Sequence, residues 1–237
     1  MGPGTMTQAT SRSDWRLLHG VAFVLCMACS LLVPAFRRWP WAWLVPFLVY
    51  LFLVACLPGL RSTMCWFRLG RISVASVGAT VGLMALTTLA LVIFQSTVRP
   101  DVRSYGAALQ LHAFGGVVTA GVVFAVVNAT LEELVFRGVL FDAVQSQWGA
   151  SVTVVATALL FGVGHVRGYP SGALGAFFAT LFGLVLGTLR LWTGGLALPI
   201  VAHMGADATI YAILVNSGAL RDFGSGLAEA NALIRDG

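Results

Sequence analysis

The sequence predicts an all-α fold, a polytopic bundle of about seven transmembrane helices with a range of six to eight. The 237-residue chain is 58% hydrophobic but only 10% charged, and its mean hydropathy is +0.89. A soluble domain carries about a quarter charged residues, so this chain has too few to cover a globular surface. Six stretches lack every Asp, Glu, Lys and Arg, and each can cross a hydrocarbon core of about 30 Å: 17–36, 41–60, 72–98, 104–131, 143–164 and 168–189.

The N-terminal part predicts three spans. Residues 1–16 are rich in Gly, Ser and Thr and predict a disordered tail. The apolar run that follows is longer than the core of a signal peptide and has no A-x-A site after it, so it predicts an uncleaved signal anchor. The expected helices are Leu17–Phe36, Trp41–Leu57 and Ser73–Gln95.

The C-terminal part predicts four more spans. The first is one long helix or two joined at a slight break. The Gly183/Gly187 pair forms a G-x-x-x-G, which predicts close helix packing inside the bundle. The expected helices are Ala107–Gln147, Ser151–His165, Gly172–Leu191 and Ala197–Val215, followed by a tail at 218–237.

The charge pattern excludes nucleic acid as a partner and favours membrane lipids. The net charge is +5, and all 14 cationic residues are Arg. They are scattered between the hydrophobic spans without a basic run, as expected for loops anchored on anionic headgroups. The arginines show no clear bias between the two sides, so they leave the orientation open. Cys26 and Cys29 form a C-x-x-C inside an apolar span, and no second cysteine pair accompanies it. We therefore expect both to serve as small buried apolar residues, without a redox or metal-binding role.

A pair of adjacent glutamates marks a candidate site. Glu132 and Glu133 follow a long apolar stretch, where an unpaired carboxylate costs several kcal/mol. Arg137 lies at i+4 from Glu133 and predicts an ion pair with it. Glu132 points about 100° away on the helix and is left without that partner. The sequence therefore predicts a paired glutamate beside an unpaired one that is free to act as a base.

Two further spans carry isolated polar residues. His165 ends an apolar helix, with Phe161 one turn before it, and His203 lies one turn before Asp207 in the last span. Buried polar groups need partners, so the most favourable bundle brings them together. The predicted cluster contains Glu132, Glu133, Arg137, His165, His203 and Asp207.

Such a cluster suits the activation of water in either of two ways. A carboxylate beside an imidazole can take a proton from water, while a second His and a polar neighbour stabilise an oxyanion. Alternatively, Glu132, His165 and His203 form a three-ligand zinc site with an open position. The sequence does not separate the two, although the H-E-x-x-H of many zinc proteases is absent.

Three short motifs carry a family resemblance. They are E-E-x-x-x-R at 132–137, F-x-x-x-H at 161–165 and H-x-x-x-D at 203–207. In this order they resemble the CPBP intramembrane protease family, also called the CAAX-protease or Abi family. Its eukaryotic members include the type II CAAX prenyl endopeptidase, which trims prenylated proteins. The resemblance implies a catalytic core at 104–217 and a variable N-terminal part at 17–103.

The resemblance also implies roles for the residues. Glu132 would activate water together with His165, and Glu133 and Arg137 would form a structural or substrate-orienting pair. His203 and Asp207 would line the oxyanion site. The prenyl-protein branch has Asn where this chain has Asp207, and an ionised Asp cannot donate a hydrogen bond to an oxyanion. Asp207 is therefore either protonated, or orients His203, or helps to hold a metal.

Three functions remain open on the sequence. The first is an intramembrane endopeptidase of the cell membrane that cleaves a membrane-associated or lipid-anchored protein or peptide, a prenylated one included. The second is a non-proteolytic member of the same family that acts by binding, as an immunity or scaffold protein. The third is a small transporter, which the absence of a visible inverted repeat disfavours.

Overall fold

The computed structural model describes residues 4–100, 102 and 116–217, and all the regular structure in these ranges is helical. The predicted all-α class is confirmed. The α-helices are α1 (Gly4–Leu31), α2 (Trp41–Cys56), α3 (Pro58–Thr63), α4 (Val74–Val98), α5 (Val117–Glu133), α6 (Leu140–Gly164), α7 (Gly172–Thr193) and α8 (Ala197–Asn216). A π-helix joins α5 to α6, and 3₁₀ turns follow α1 and α6: Leu134–Val139, Pro34–Arg37 and His165–Arg167.

The helices have the length and composition of membrane spans. Within the described part of the chain, five helical segments are long and apolar enough to cross a membrane, and α2 is a shorter apolar helix. One of the five, Val117–Arg167, has 51 residues, enough to cross twice. Large apolar side chains such as Val74, Val118 and Val163 are exposed on these helices, as lipid-facing residues are. The chain is an integral membrane protein.

Gly149 divides the long segment into two arms. Its φ of 77° lies in the left-handed region, which glycine adopts at little cost. Glu132 lies about as many residues before Gly149 as His165 lies after it. The rings of Phe136 and Phe161, one from each arm, are 5.1 Å apart. The second arm therefore folds back beside the first and returns His165 to the level of Glu132.

Close approach between α6 and α7 explains the glycines of α7. A Cβ on Gly183 would lie 3.2 Å from the Ala158 Cβ, and one on Gly187 would lie 3.3 Å from Val154. Both neighbours belong to α6. The predicted use of the G-x-x-x-G for packing inside the bundle is confirmed.

The N-terminal residues differ from the prediction, and two other predictions fall on residues that the structure does not describe. Residues 4–16 are part of α1, where the sequence predicted a disordered tail and a helix start at Leu17. Arg16 in this segment forms an ion pair with Asp142 of α6, which gives it a tertiary anchor. The predicted helix start at Ala107 and the predicted tail at 218–237 lie outside the described residues.

An extended segment after α3 holds the turn between α7 and α8. Leu196 and Ala197 donate backbone hydrogen bonds to Arg68 and Leu69, at 2.7 and 3.1 Å. The Trp66 side chain in the same segment is buried in the core. This segment therefore fixes the start of α8, the helix that carries His203 and Asp207.

Candidate active site

The six polar residues predicted to cluster come together from four parts of the fold. Glu132 and Glu133 end α5, Arg137 lies in the π-helix, His165 follows α6, and His203 and Asp207 lie on α8. All of them except His165 are buried, and Glu133 and Arg137 have no exposed surface at all. The burial of so many charges requires that they pair with one another.

Arg137 is held by three different groups. Its Nη1 lies 2.8 Å from Glu133 Oε1, and its Nη2 donates to the Gly183 carbonyl at 3.1 Å. The Phe161 ring lies against the guanidinium, with 4.6 Å from Cζ to the ring centroid, a cation–π distance. Arg137 thus links α5, α6 and α7 at one point.

The π-helix places this arginine between helices. It closes with a bond from the Leu140 N–H to the Val135 carbonyl, five residues back. Arg190 of α7 donates through Nε to the Arg137 carbonyl at 3.1 Å. A wide turn next to a charged site is a feature that often accompanies function.

Glu133 also holds His203. His203 Nδ1 lies 2.8 Å from Glu133 Oε1, the oxygen that accepts from Arg137. A carboxylate paired with an arginine only accepts, so His203 Nδ1 carries the hydrogen. Its Nε2 is then the atom presented to Glu132 Oε2 and Asp207 Oδ1, at 3.7 and 3.8 Å.

Glu132 has one bound oxygen and one without a hydrogen-bond partner. Its Oε1 accepts from Asn128 Nδ2 at 3.2 Å, so the prediction of an unpaired Glu132 is wrong for this atom. Its Oε2 is buried without a hydrogen-bond partner and lies 3.8 Å from His165 Nε2 and 3.7 Å from His203 Nε2. These separations are too long for direct hydrogen bonds, so Glu132 Oε2 and the two imidazoles face one another without being bonded.

His165 is oriented by its own helix end. Its Nδ1 lies 2.8 Å from the Phe161 carbonyl, which only accepts, so Nδ1 donates and Nε2 faces Glu132. The Phe161 ring stacks against the imidazole at a centroid distance of 4.2 Å. With its side chain 24% exposed, His165 is the most accessible residue of the cluster.

Asp207 contacts the same amide as Glu132. Asn128 Nδ2 lies 3.1 Å from Asp207 Oδ2. Asn128 Oδ1 in turn accepts from Trp39 Nε1 at 3.1 Å. The Asn128 amide therefore links Asp207 to Glu132. The other Asp207 oxygen, Oδ1, lies 3.8 Å from His203 Nε2.

A cavity of about 380 Å³ leads to these residues. It lies between α4, α7 and α8, and its polar residues include His165, His203 and Asp207. Its walls are largely aliphatic and aromatic, and they include Leu83, Leu86, Leu91, Phe178, Phe182 and Val185. An apolar cleft with a few converging polar groups at one side is the usual form of a ligand site.

Comparison with known families identifies this region. Residues 114–209 match a family model described as type II CAAX prenyl endopeptidase Rce1-like. Over these residues the chain is similar to the CAAX protease family. The resemblance in the three motifs is thereby confirmed, and the matched range contains all six clustered residues. No curated protein and no solved structure matches the chain.

The metal alternative finds no support in the geometry of this site. Among the residues that the structure describes, no group of three or more His, Cys, Asp or Glu side chains is arranged to hold a metal ion. Glu132 Oε2 lies 3.7 to 3.8 Å from both histidine nitrogens. Zinc at Glu132, His165 and His203 stays a prediction, which the chelator experiment below tests.

Sequence reasoning missed two residues of this Rce1-like site. Asn128 lies one turn before Glu132 on α5, and Trp39 lies in the turn before α2. An asparagine in an apolar span, at i−4 from a glutamate, is a signal that could have identified the first. Trp39 lies before the matched residues, 114–209, and only the fold brings it to the site.

Proposed function

We propose that the protein is an intramembrane endopeptidase in which Glu132, together with His165, activates a water molecule to attack a peptide bond. The observation that carries this proposal is the buried Glu132 Oε2, which lacks a hydrogen-bond partner and faces both histidines. The family is a protease family, which supports a hydrolytic use of this arrangement.

The first step is attack by water. The water donates one hydrogen bond to Glu132 Oε2 and is oriented by His165 Nε2. Glu132 takes the proton as the water oxygen bonds to the carbonyl carbon, and the carbonyl electron pair moves to its oxygen. The rate of this step depends on the position of Glu132, since a displacement of the base by about 1 Å can slow such a reaction about 100-fold.

The second step is collapse of the intermediate. His203 donates from Nε2 to the developing oxyanion, since Glu133 holds its Nδ1 and the carboxylates of Glu132 and Asp207 stabilise a proton on Nε2. The carbon–nitrogen bond then breaks, and Glu132 returns its proton to the leaving amine. Asp207 serves in this scheme by orienting His203.

The residues that line the cavity indicate which class of substrate fits it. Aliphatic and aromatic side chains from α4 and α7 line it, so the substrate that fits is a membrane-associated protein or peptide with an apolar segment next to the scissile bond. A prenylated CAAX protein of the cell membrane is the candidate that the family description suggests.

The test compares membranes that contain the wild type, Glu132→Gln or His165→Ala. New protein termini, detected by mass spectrometry, are expected only with the wild type. Glu229→Gln is the matched control, since Glu229 lies outside the family match. The purified proteins are then assayed on a quenched-fluorescent peptide with a farnesylated CAAX terminus.

Each result has a defined consequence. Unchanged cleavage in both site variants, with normal insertion and thermal stability, would overturn the proposal. If no new termini appear with either the wild type or Glu132→Gln, a binding role is favoured over hydrolysis. Elemental analysis of the gently purified protein, with activity measured with and without a chelator, tests the zinc alternative; the proposal expects no dependence on the chelator.

A further inference from the structure

Asn128 occupies a position between two carboxylates of the site. Its Nδ2 lies 3.2 Å from Glu132 Oε1 and 3.1 Å from Asp207 Oδ2. Asn128 is buried, with 9% of its surface exposed, and both carboxylates are more deeply buried still. Each of its two amide hydrogens thus has one charged acceptor.

Trp39 fixes which way this amide points. The Asn128 Oδ1 lies 3.1 Å from Trp39 Nε1, and an indole nitrogen only donates. Rotation of the amide by 180° would place its oxygen against two carboxylates and its nitrogen against the indole N–H, so that all three contacts would become repulsive. The Trp39 ring is itself held against Phe124 at a centroid distance of 5.5 Å.

The arrangement determines which carboxylate oxygens remain for chemistry. With Glu132 Oε1 and Asp207 Oδ2 bound to the amide, Glu132 Oε2 and Asp207 Oδ1 are the oxygens that face the histidines. Without the amide, two buried carboxylates would share the space with no donor between them, and like charges so placed bind a proton in common.

We propose that Asn128 is a positioning residue for the reaction. It places one donor between the Glu132 and Asp207 carboxylates, which opposes the sharing of a proton between them, and it aims Glu132 Oε2 at the attacking water, while Trp39 locks its amide in the required orientation. This inference rests on the proposed hydrolytic function, although the state of the carboxylates can be measured without any substrate.

The experiment uses Asn128→Leu, Trp39→Phe and the double variant in full-length purified protein. Asn128→Leu removes the amide at similar size, and Trp39→Phe removes only the indole donor and keeps a ring on Phe124. Asn216→Leu, at the exposed end of α8, is the matched control. The activity probe is the farnesylated, quenched-fluorescent CAAX peptide.

Three results are expected. Infrared spectra of Asn128→Leu show a stronger protonated-carboxyl band than those of the wild type and Asn216→Leu. The kcat of Asn128→Leu falls about 100-fold while its KM changes less than about threefold, because the base is displaced but substrate binding is kept. Trp39→Phe has a smaller effect in the same direction, and the double variant is no worse than Asn128→Leu, because Trp39 acts through Asn128.

The outcomes separate this inference from the function on which it rests. If the wild type cleaves and Asn128→Leu shows neither the stronger band nor the loss of kcat, the positioning role is wrong and the protease proposal stands. If the wild type cleaves no substrate but the stronger band appears, the protease proposal fails and the ionisation role remains. Additive effects of the two substitutions on thermal stability and kcat would overturn the part assigned to Trp39.

Discussion

Glu133 and His203 are joined by a hydrogen bond of 2.8 Å between Oε1 and Nδ1, deep inside the bundle. The same oxygen accepts from Arg137 at 2.8 Å, and Glu133 is fully buried. Glu133 Oε1 therefore binds two partners at once, Arg137 and His203. It neutralises the buried arginine, and it sets the tautomer and the direction of the imidazole.

This relationship predicts that Glu133→Gln is strongly destabilising. The neutral amide leaves Arg137 as an uncompensated buried charge, a change that typically costs about 3–5 kcal/mol. Thermal unfolding of the purified protein in detergent measures it, with Glu229→Gln as the matched control. An unfolding temperature equal to that of the wild type would show that Arg137 does not depend on Glu133.

The helical fold was predictable because lipid imposes a simple rule on composition. Spans contain few charged residues, so counting charges located six uncharged stretches and the polar turns between them. The boundary at Gly149 was predictable, since it lies between the expected helices Ala107–Gln147 and Ser151–His165, but the backbone conformation that reverses the chain there was not. A single glycine does not reveal its φ, and the left-handed value of 77° depends on how the two arms pack.

The candidate site was predictable where residues are spaced at i and i+4. Glu133 with Arg137 and His203 with Asp207 follow from helix geometry and from the cost of burying charge. The Trp39–Asn128–Asp207 chain was not predictable, since it links residues from three distant parts of the sequence. The π-helix also gave no signal, because an α-helix and a π-turn differ by a register shift that depends on the neighbouring helices.

Phe161 is expected to matter for the orientation of the site more than for the fold. Its ring contacts the Arg137 guanidinium at 4.6 Å and stacks on His165 at 4.2 Å. Phe161→Leu keeps an apolar side chain but removes the cation–π contact, worth about 2 kcal/mol when desolvated, and frees the imidazole to rotate. We expect kcat on the farnesylated peptide to fall about tenfold or more, as misplacement of a catalytic group predicts.

The control for this variant is Phe177→Leu, the same substitution at an exposed position of α7. It is expected to leave both kcat and the unfolding temperature near the wild-type values. Equal kcat values in the two variants would contradict the orienting role of Phe161.

Gly162 of α6 lies where α7 packs closely against it. A Cβ there would overlap the Thr180 Oγ1 and would lie 2.6 Å from the Ala176 carbonyl oxygen. Backbone cannot move aside as a side chain can, so Gly162→Ala should destabilise the protein by about 1–3 kcal/mol. Gly82→Ala on α4 is the matched control, since no atom lies within 4 Å of its Cβ, and it should be neutral or slightly stabilising. Equal unfolding temperatures would show that α7 shifts freely on α6.

The last prediction concerns an ion pair outside the site. Arg16 of α1 donates through Nε to Asp142 Oδ2 at 2.8 Å, with a second contact between Nη2 and Oδ1. Burial and the charge of Asp142 raise the pKa of the Cys65 thiol, which therefore keeps its hydrogen and donates to Asp142 Oδ2 at 3.3 Å. Asp142→Asn removes a charged acceptor that joins α1 to α6 and to the segment after α3. Because Arg16 is partly exposed, we expect a loss of about 1–3 kcal/mol in the free energy of unfolding.

The partner variant is Arg16→Met, and the exposed Asp14→Asn serves as the matched control. If the pair acts as a unit, the double variant Arg16→Met/Asp142→Asn loses less stability than the sum of the two single variants. Cleavage of the farnesylated peptide is expected to persist in all of them below their unfolding temperatures, because Asp142 lies outside the cluster around Glu132. Additive losses would show that α1 is held on α6 by apolar packing alone, such as the close contact of Gly20 with Ala143.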